Sequence, residues 1–144
     1  MLEIKIGGRL IPLNYTTYEL IAIQKDIGCT AFELKDKVFG IRQADEDDPK
    51  SLVFDCATDP EKMQKLGVLI RILGNAGLEE SGKEPDLTDK WVLRNIKPNM
   101  IVPYAIAVLT EIVGGNSTEN TDEKENVPVD EGLEEQNEKK SPGS

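Results

Sequence analysis

Residues Asp59–Gly77, DPEKMQKLGVLIRILGNAG, carry the most regular pattern in the chain and decide how the rest is arranged. Asp59 is a good N-cap, and Pro60 suits the first helical position, where its missing N–H is not needed. Met63, Leu66, Ile70 and Leu73 recur at steps of three and four, which defines one face of a helix. Leu69 and Ile72 widen that face, so the helix is expected to pack on more than one neighbour. Gly77 reads as the left-handed stop after the last turn. Gly67 and Gly74 lie inside the pattern, where each costs roughly 1 kcal/mol against Ala. They are expected to be notches for close approach of other elements. The expectation is a central helix around which everything else packs.

Before it, LEIKI-GG-RLIPL reads as a hairpin closed by Gly7-Gly8, a pair that tolerates positive φ at both turn positions. That turn sets Ile6 opposite Arg9, Ile4 opposite Ile11 and Leu2 opposite Leu13, with the apolar pairs on one face. A two-stranded ribbon is not stable alone, so helices must cover it. Thr16-x-x-Glu19 and Thr30-x-x-Glu33 are capping boxes, predicting two helices of about ten residues each. They are expected to end at Gly28 and Gly40 and to bury Leu20, Ile23 and Ile27, then Ala31, Leu34, Val38 and Phe39. Residues 41–58 are less regular, with Leu52-Val53-Phe54 a candidate short strand.

After the central helix, Leu78–Asp86 reads as a polar loop. Thr88 caps a short helix, with Leu87 and Val92 as a hydrophobic staple. Pro98 ends it near Lys97. MIVPYAIAVLTEIV, Met100–Val113, is apolar round most of its circumference and reads as a buried helix, stopped by Gly114-Gly115. It is shorter than the roughly 20 apolar residues that span a bilayer. Leu66, Ile70, Leu73, Ile106 and Leu109 are the expected core. From Asn116 onward large apolar side chains nearly vanish, and the composition predicts a disordered acidic tail, residues 116–144. The fold class is mainly α with an N-terminal β-hairpin (α+β): a compact domain over 1–115 with about five helices.

Composition narrows the chemistry. The formal charge is −10, with −6 from Asn116 onward and −4 before it, so neither part offers the basic field of a nucleic-acid binder. There is no histidine among the 144 residues, which removes the commonest general base, Ser-His and Cys-His nucleophile pairs and most zinc sites. Cys29 and Cys56, without a signal peptide ahead of them, read as reduced cytoplasmic thiols. Asp45-Glu46-Asp47-Asp48 does not match a calcium loop, since Lys50 and Cys56 occupy the sixth and twelfth positions. Gly74, Gly77 and Gly82 follow a helix instead of leading into one, and do not form a phosphate cradle. No catalytic, cofactor-binding or metal-binding residue is predicted. Trp91, the single tryptophan, is either a core anchor or a partner-binding aromatic. With Arg94 it is the candidate partner-binding pair, since Trp and Arg dominate interface hot spots.

The segment PLNYTTYELIAIQKDIGCTAFELKDKVFGI (residues 12–41) resembles the start of small tail assembly chaperones of phages, prophages and gene-transfer particles. DPEKMQKLGVLIRILGNAGLEESGKEPDLTDKWVLRNIKP (residues 59–98) resembles the same family, whose order is central helix, polar loop, short capped helix and final apolar helix. The resemblance covers about residues 1–115 and carries over no binding residue. It implies a non-enzymatic protein of the bacterial host cytoplasm, absent from the mature virion. Its partner would be the tape-measure protein, whose hydrophobic helices it keeps soluble, with tail tube protein as a second partner. It implies no cofactor, no nucleic acid and no membrane. Such chaperones often have a longer frameshifted form, and Glu138-Lys139-Lys140 can be encoded as a slippery run. The competing reading is a regulatory module or antitoxin-like protein that sets its acidic tail on a basic surface. An enzyme is the weakest reading, with no convergent acids, nucleotide loop or thiol beside a base.

Overall fold

The computed structural model describes residues 2–117. The predicted acidic tail beyond Ser117, with Glu138-Lys139-Lys140, lies outside the described residues. The fold class is as the sequence reads: helices around an N-terminal antiparallel hairpin. Strands β1 (Glu3–Ile6) and β2 (Arg9–Pro12) pair in the expected register, Ile6 with Arg9 and Ile4 with Ile11. Gly7 and Gly8 take φ of +56° and +81°, the mirror-image turn that suits the twist of paired strands. The Leu13 N–H extends the ladder to the Leu2 carbonyl at 2.7 Å. Ile4, Ile6, Ile11 and Leu13 are buried together, while Leu10 points away into solvent.

Helix α1 (Thr17–Ile27) starts as predicted, the Thr16 N–H donating to the Glu19 carboxylate at 2.9 Å, and ends at Gly28 in the left-handed region. The second predicted helix is not a regular one. Thr30 N–H donates to Glu33 at 2.9 Å, but the chain then forms a 3-10 turn (Ala31–Glu33) and a π turn (Lys35–Phe39) closed by left-handed Gly40. The i→i+5 turn brings Leu34 and Phe39 round to one side, so that Leu34, Val38 and Phe39 are all fully buried. Leu52-Val53-Phe54 is indeed a strand, β4 (Leu52–Phe54), and its partner is the unforeseen β3 (Ile41–Gln43). In the loop between them Asp45 and Asp48 accept backbone N–H bonds from Asp47 and Lys50, at 3.0 and 2.9 Å, as turn formers.

Helix α2 (Pro60–Glu80) is the centre of the molecule, touching α1, β2, the π turn, α3 (Asp89–Arg94) and α4 (Ile101–Asn116). Asp59 caps it, accepting from the Glu61 N–H at 3.0 Å. It does not stop at Gly77, and Leu78, read as the start of a polar loop, is a buried helical residue. Gly77 is instead a contact point. A β-carbon there would fall on the Pro12 carbonyl, where β2 crosses the helix. The notches expected at Gly67 and Gly74 exist: added β-carbons would lie 2.6 Å from Leu93 and 2.6 Å from Leu87. Asn14 N–H then bonds the Leu73 carbonyl at 3.1 Å, tying the end of the hairpin to the helix backbone.

Helix α4 corrects two further expectations. Gly114 and Gly115 do not end it; it runs through them to Asn116, which is therefore a helical residue and not the start of the tail. Nor is it buried all round. Its inner face is Ile101, Ala105, Val108 and Ile112, while Ile106 is 48% exposed and Leu109 is only partly buried. Of the expected core, Leu66, Ile70 and Leu73 are fully buried. With the preceding 3-10 turn, Pro98–Asn116 makes a run of 19 residues that holds an 18-residue window of mean hydropathy 1.2, long and apolar enough by length and composition to cross a membrane. Here it lies on the shared core. Tyr104 donates to the Lys5 carbonyl at one end, and Tyr15 Oη donates to Asn116 Oδ1 at 2.7 Å at the other. The Tyr15 ring lies where a β-carbon on Gly115 would go, and its N–H bonds the Glu111 carboxylate.

These contacts set opposite outcomes for two glycines. Gly77→Ala should destabilise by about 1–3 kcal/mol or more through overpacking against Pro12, despite Ala being the better helix former. Gly114→Ala, which meets open space, should instead stabilise by about 0.4–1 kcal/mol; urea denaturation of both variants compares them. Burial holds the Glu111 carboxyl above its ordinary 4.5, the Tyr15 N–H pulling part of the way back. The folded state thus binds that proton more tightly than the unfolded chain, and stability falls as pH rises through this ionisation. Glu111→Gln should raise the melting temperature at neutral pH, and the gain should vanish below the ordinary carboxylate value.

Candidate functional site

Helix α1 has more apolar residues than one buried face can hold. Ile23 is fully buried, and Leu20 and Ile27 pack beside it. That leaves Tyr18 and Ile21, three residues apart, 69% and 60% exposed. The 3-10 turn after α1 holds Ala31 and Leu34 inward and so turns Phe32 outward, 72% exposed. Across the turn, α4 presents Leu109 and Val113.

Ile21 on one side and Leu109 and Val113 on the other line two concavities that share Phe32. One, about 380 Å³, lies between Leu20, Ile21, Gln24, Lys25, Thr30 and Phe32. The other, about 430 Å³, lies between Ala31, Phe32, Leu34, Lys35, Ile41 and the end of α4 from Leu109 to Ser117. A third, about 300 Å³, continues along α1 past Tyr18, Ile21, Ala22, Lys25 and Asp26. The result is a discontinuous apolar groove with Phe32 at its centre. The charged residues lining its two main parts are Lys25 and Lys35, in a protein whose net charge is −10. Neither lysine has an ion-pair partner among the described residues, whereas Lys37, on the same π turn, pairs with Glu33 at 3.2 Å. Such a surface suits the apolar face of a helix or an extended segment, with carboxylates toward the two lysines.

Trp91 and Arg94 lie elsewhere. Thr88 Oγ1 caps α3, accepting from the Trp91 N–H at 3.1 Å, and the staple pair Leu87 and Val92 is buried. Trp91 is half-buried against Gly7 of the hairpin turn, and the Arg9 guanidinium stacks 5.4 Å from its ring centroid. Arg9 also pairs with Asp86 at 3.1 Å, so hairpin, loop and α3 are joined through one side chain. Arg94 is exposed on the last turn of α3, its side chain without a hydrogen bond or ion pair among the described residues. Trp91 and Arg94 thus share a helix, and neither lines the groove around Phe32.

Sequence reasoning missed Phe32, Ile21 and Val113. The surplus apolar pair Tyr18 and Ile21 was a readable signal. Phe32 was not readable, because a regular helix from Thr30 gives no reason to single it out.

The Cys29 and Cys56 thiols are unpaired and buried, and burial raises the pKa of both, which favours the unreactive thiol. No group of three or more Cys, Asp or Glu side chains among the described residues is placed to hold a metal ion.

Truncation separates the two aromatic positions. Trp91→Ala should cost about 1–3 kcal/mol, below the 3–5 of a fully buried ring. Phe32→Ala and Arg94→Ala should stay within about 0.5 kcal/mol, the range of surface substitutions. Equilibrium unfolding of the three variants reads the difference.

The sequence matches no protein-family model, and no curated protein and no solved structure matches it.

Proposed function

We propose that this chain is a non-enzymatic tail assembly chaperone that holds apolar helices of a tape-measure protein in the groove centred on Phe32. The observation that carries the reading is Phe32 itself: a large side chain 72% exposed between two apolar hollows of about 380 and 430 Å³. Exposed apolar surface gathered in one concave strip marks an interaction site, not incidental scatter. A chaperone for helices needs such a surface on a body that stays folded without its client. The core under α2 supplies that body, because the exposed groove residues Ile21, Phe32 and Val113 lie outside it. The resemblance of residues 12–41 and 59–98 to tail assembly chaperones supplies the client. Its place of action is then the host cytoplasm during tail assembly, with tail tube protein joining later, and with no cofactor, nucleic acid or membrane involved. Trp91 and Arg94 form a second candidate contact, at the α3 end.

The test is co-expression with a long phage tape-measure protein, followed by affinity capture. Phe32→Asp and Ile21→Asp should leave the melting temperature unchanged and reduce the recovered complex about tenfold, as loss of a central anchor does. Undiminished capture by both would remove the groove from the interface. Loss of capture on Arg94→Glu alone would move the contact to α3.

A further inference from the structure

The groove ends where the described chain ends. Asn116 and Ser117 line the larger hollow together with Ala31, Phe32 and Val113. Ser117, the last described residue, therefore stands at the site. Beyond it the sequence is poor in large apolar residues, with one exception: Val127-Pro128-Val129-Asp130-Glu131-Gly132-Leu133. Glu134 and Glu135 come directly after this segment, and no lysine or arginine lies between Lys124 and Lys139. It therefore combines three apolar side chains with four carboxylates. The groove is its complement, with apolar walls and Lys25 and Lys35 at the edges, both unpaired among the described residues.

We infer that Val127–Leu133 of the same chain is the resident occupant of the Phe32 groove. Val127, Val129 and Leu133 cover the apolar hollows, and the carboxylates of Asp130, Glu131, Glu134 and Glu135 face Lys25 and Lys35. Nine residues, 118–126, separate the segment from Ser117. A chain of that length has a root-mean-square reach of about 15–18 Å, which suffices for a site that Ser117 already borders. Tethering so short sets a local concentration in the millimolar range, so weak intrinsic affinity is enough for occupancy. The segment then acts as a built-in competitor. It shields an apolar strip that would otherwise invite self-association, and it yields to a client that binds the same strip more tightly. Occupancy by the segment requires the groove alone and no tape-measure protein, so it stands or falls separately from the choice of client.

The experiment uses the full-length chain and the apolar anion 1-anilinonaphthalene-8-sulfonate as probe. Val127→Ser, Val129→Ser and Leu133→Ser are combined, which removes apolar contact without changing charge. The variant should bind the dye at least about threefold more tightly than the parent, because an intramolecular competitor has been removed. Phe32→Asp added to it should abolish that gain. In amide NMR spectra the triple substitution should shift Ala31, Phe32 and Val113. Unchanged dye affinity, or shifts confined to residues far from the groove, would overturn the proposal. A difference that grows with protein concentration would also overturn it, since the occupant would then be a second copy.

Discussion

Everything in this fold depends on how closely β2 can lie on helix α2. The Pro12 carbonyl sits where a side chain at Gly77 would be, and the Asn14 N–H bonds the Leu73 carbonyl at 3.1 Å. Contact this close is possible only because Gly74 and Gly77 leave the helix without side chains on that face. The loss of helix propensity, roughly 1 kcal/mol for each glycine, is offset by the burial that the approach permits. Ile11 and Leu13 reach the Leu66–Leu78 face, and a ribbon unable to fold alone becomes one wall of the core. Gly67 does the same for α3, admitting Leu93.

Polar side chains then fix angles that apolar packing leaves loose. Arg71 leaves α2 between its neighbours, its Nε donating to Asp89 of α3 at 2.5 Å and its Nη2 to Asp26 of α1 at 3.4 Å. Partial burial works against the charged guanidinium, and the two carboxylates more than compensate, raising its pKa. Asn75 acts on the loop in the manner of a strand neighbour. Its amide accepts from the Leu87 N–H at 2.9 Å and donates to the Leu87 carbonyl at 3.2 Å. These bonds hold α1, α2 and α3 as one unit, and the face of α1 that carries Tyr18 and Ile21 is left to the groove.

The features legible in the sequence are those that local chemistry decides. The glycine pair sets the hairpin register, and caps at Thr16, Asp59 and Thr88 start their helices where the residue types say. The features that were not legible depend on a distant partner. Gly77 and Gly114-Gly115 look like helix stops by the local rule, but nothing local announces Pro12 or Tyr15. The phase of α4 was hidden for another reason: a helix apolar on all sides carries no information about which side faces in. Ile106 was chosen as core and lies outside, one residue on from the small, fully buried Ala105. The site was the least legible part. It depends on the 3-10 turn from Ala31 to Glu33, which holds Ala31 and Leu34 inward and so leaves Phe32 standing out.

The two tyrosine bonds at the ends of α4 bear on how the protein is made. Tyr15 meets Asn116 across 101 positions, and Tyr104 meets Lys5 across 99. At the usual pace of synthesis, about 5–20 residues per second, roughly 5–20 s separate the emergence of the two partners. Throughout that interval the hairpin can rest on α2, but the core lacks the face that Ile101, Ala105, Val108 and Ile112 supply, and the apolar side chains they cover stay open to solvent. A nascent chain in this state is itself a hydrophobic client. A product cut short before Ile101 would be not a smaller version of this fold but one with its core open on the side that α4 covers.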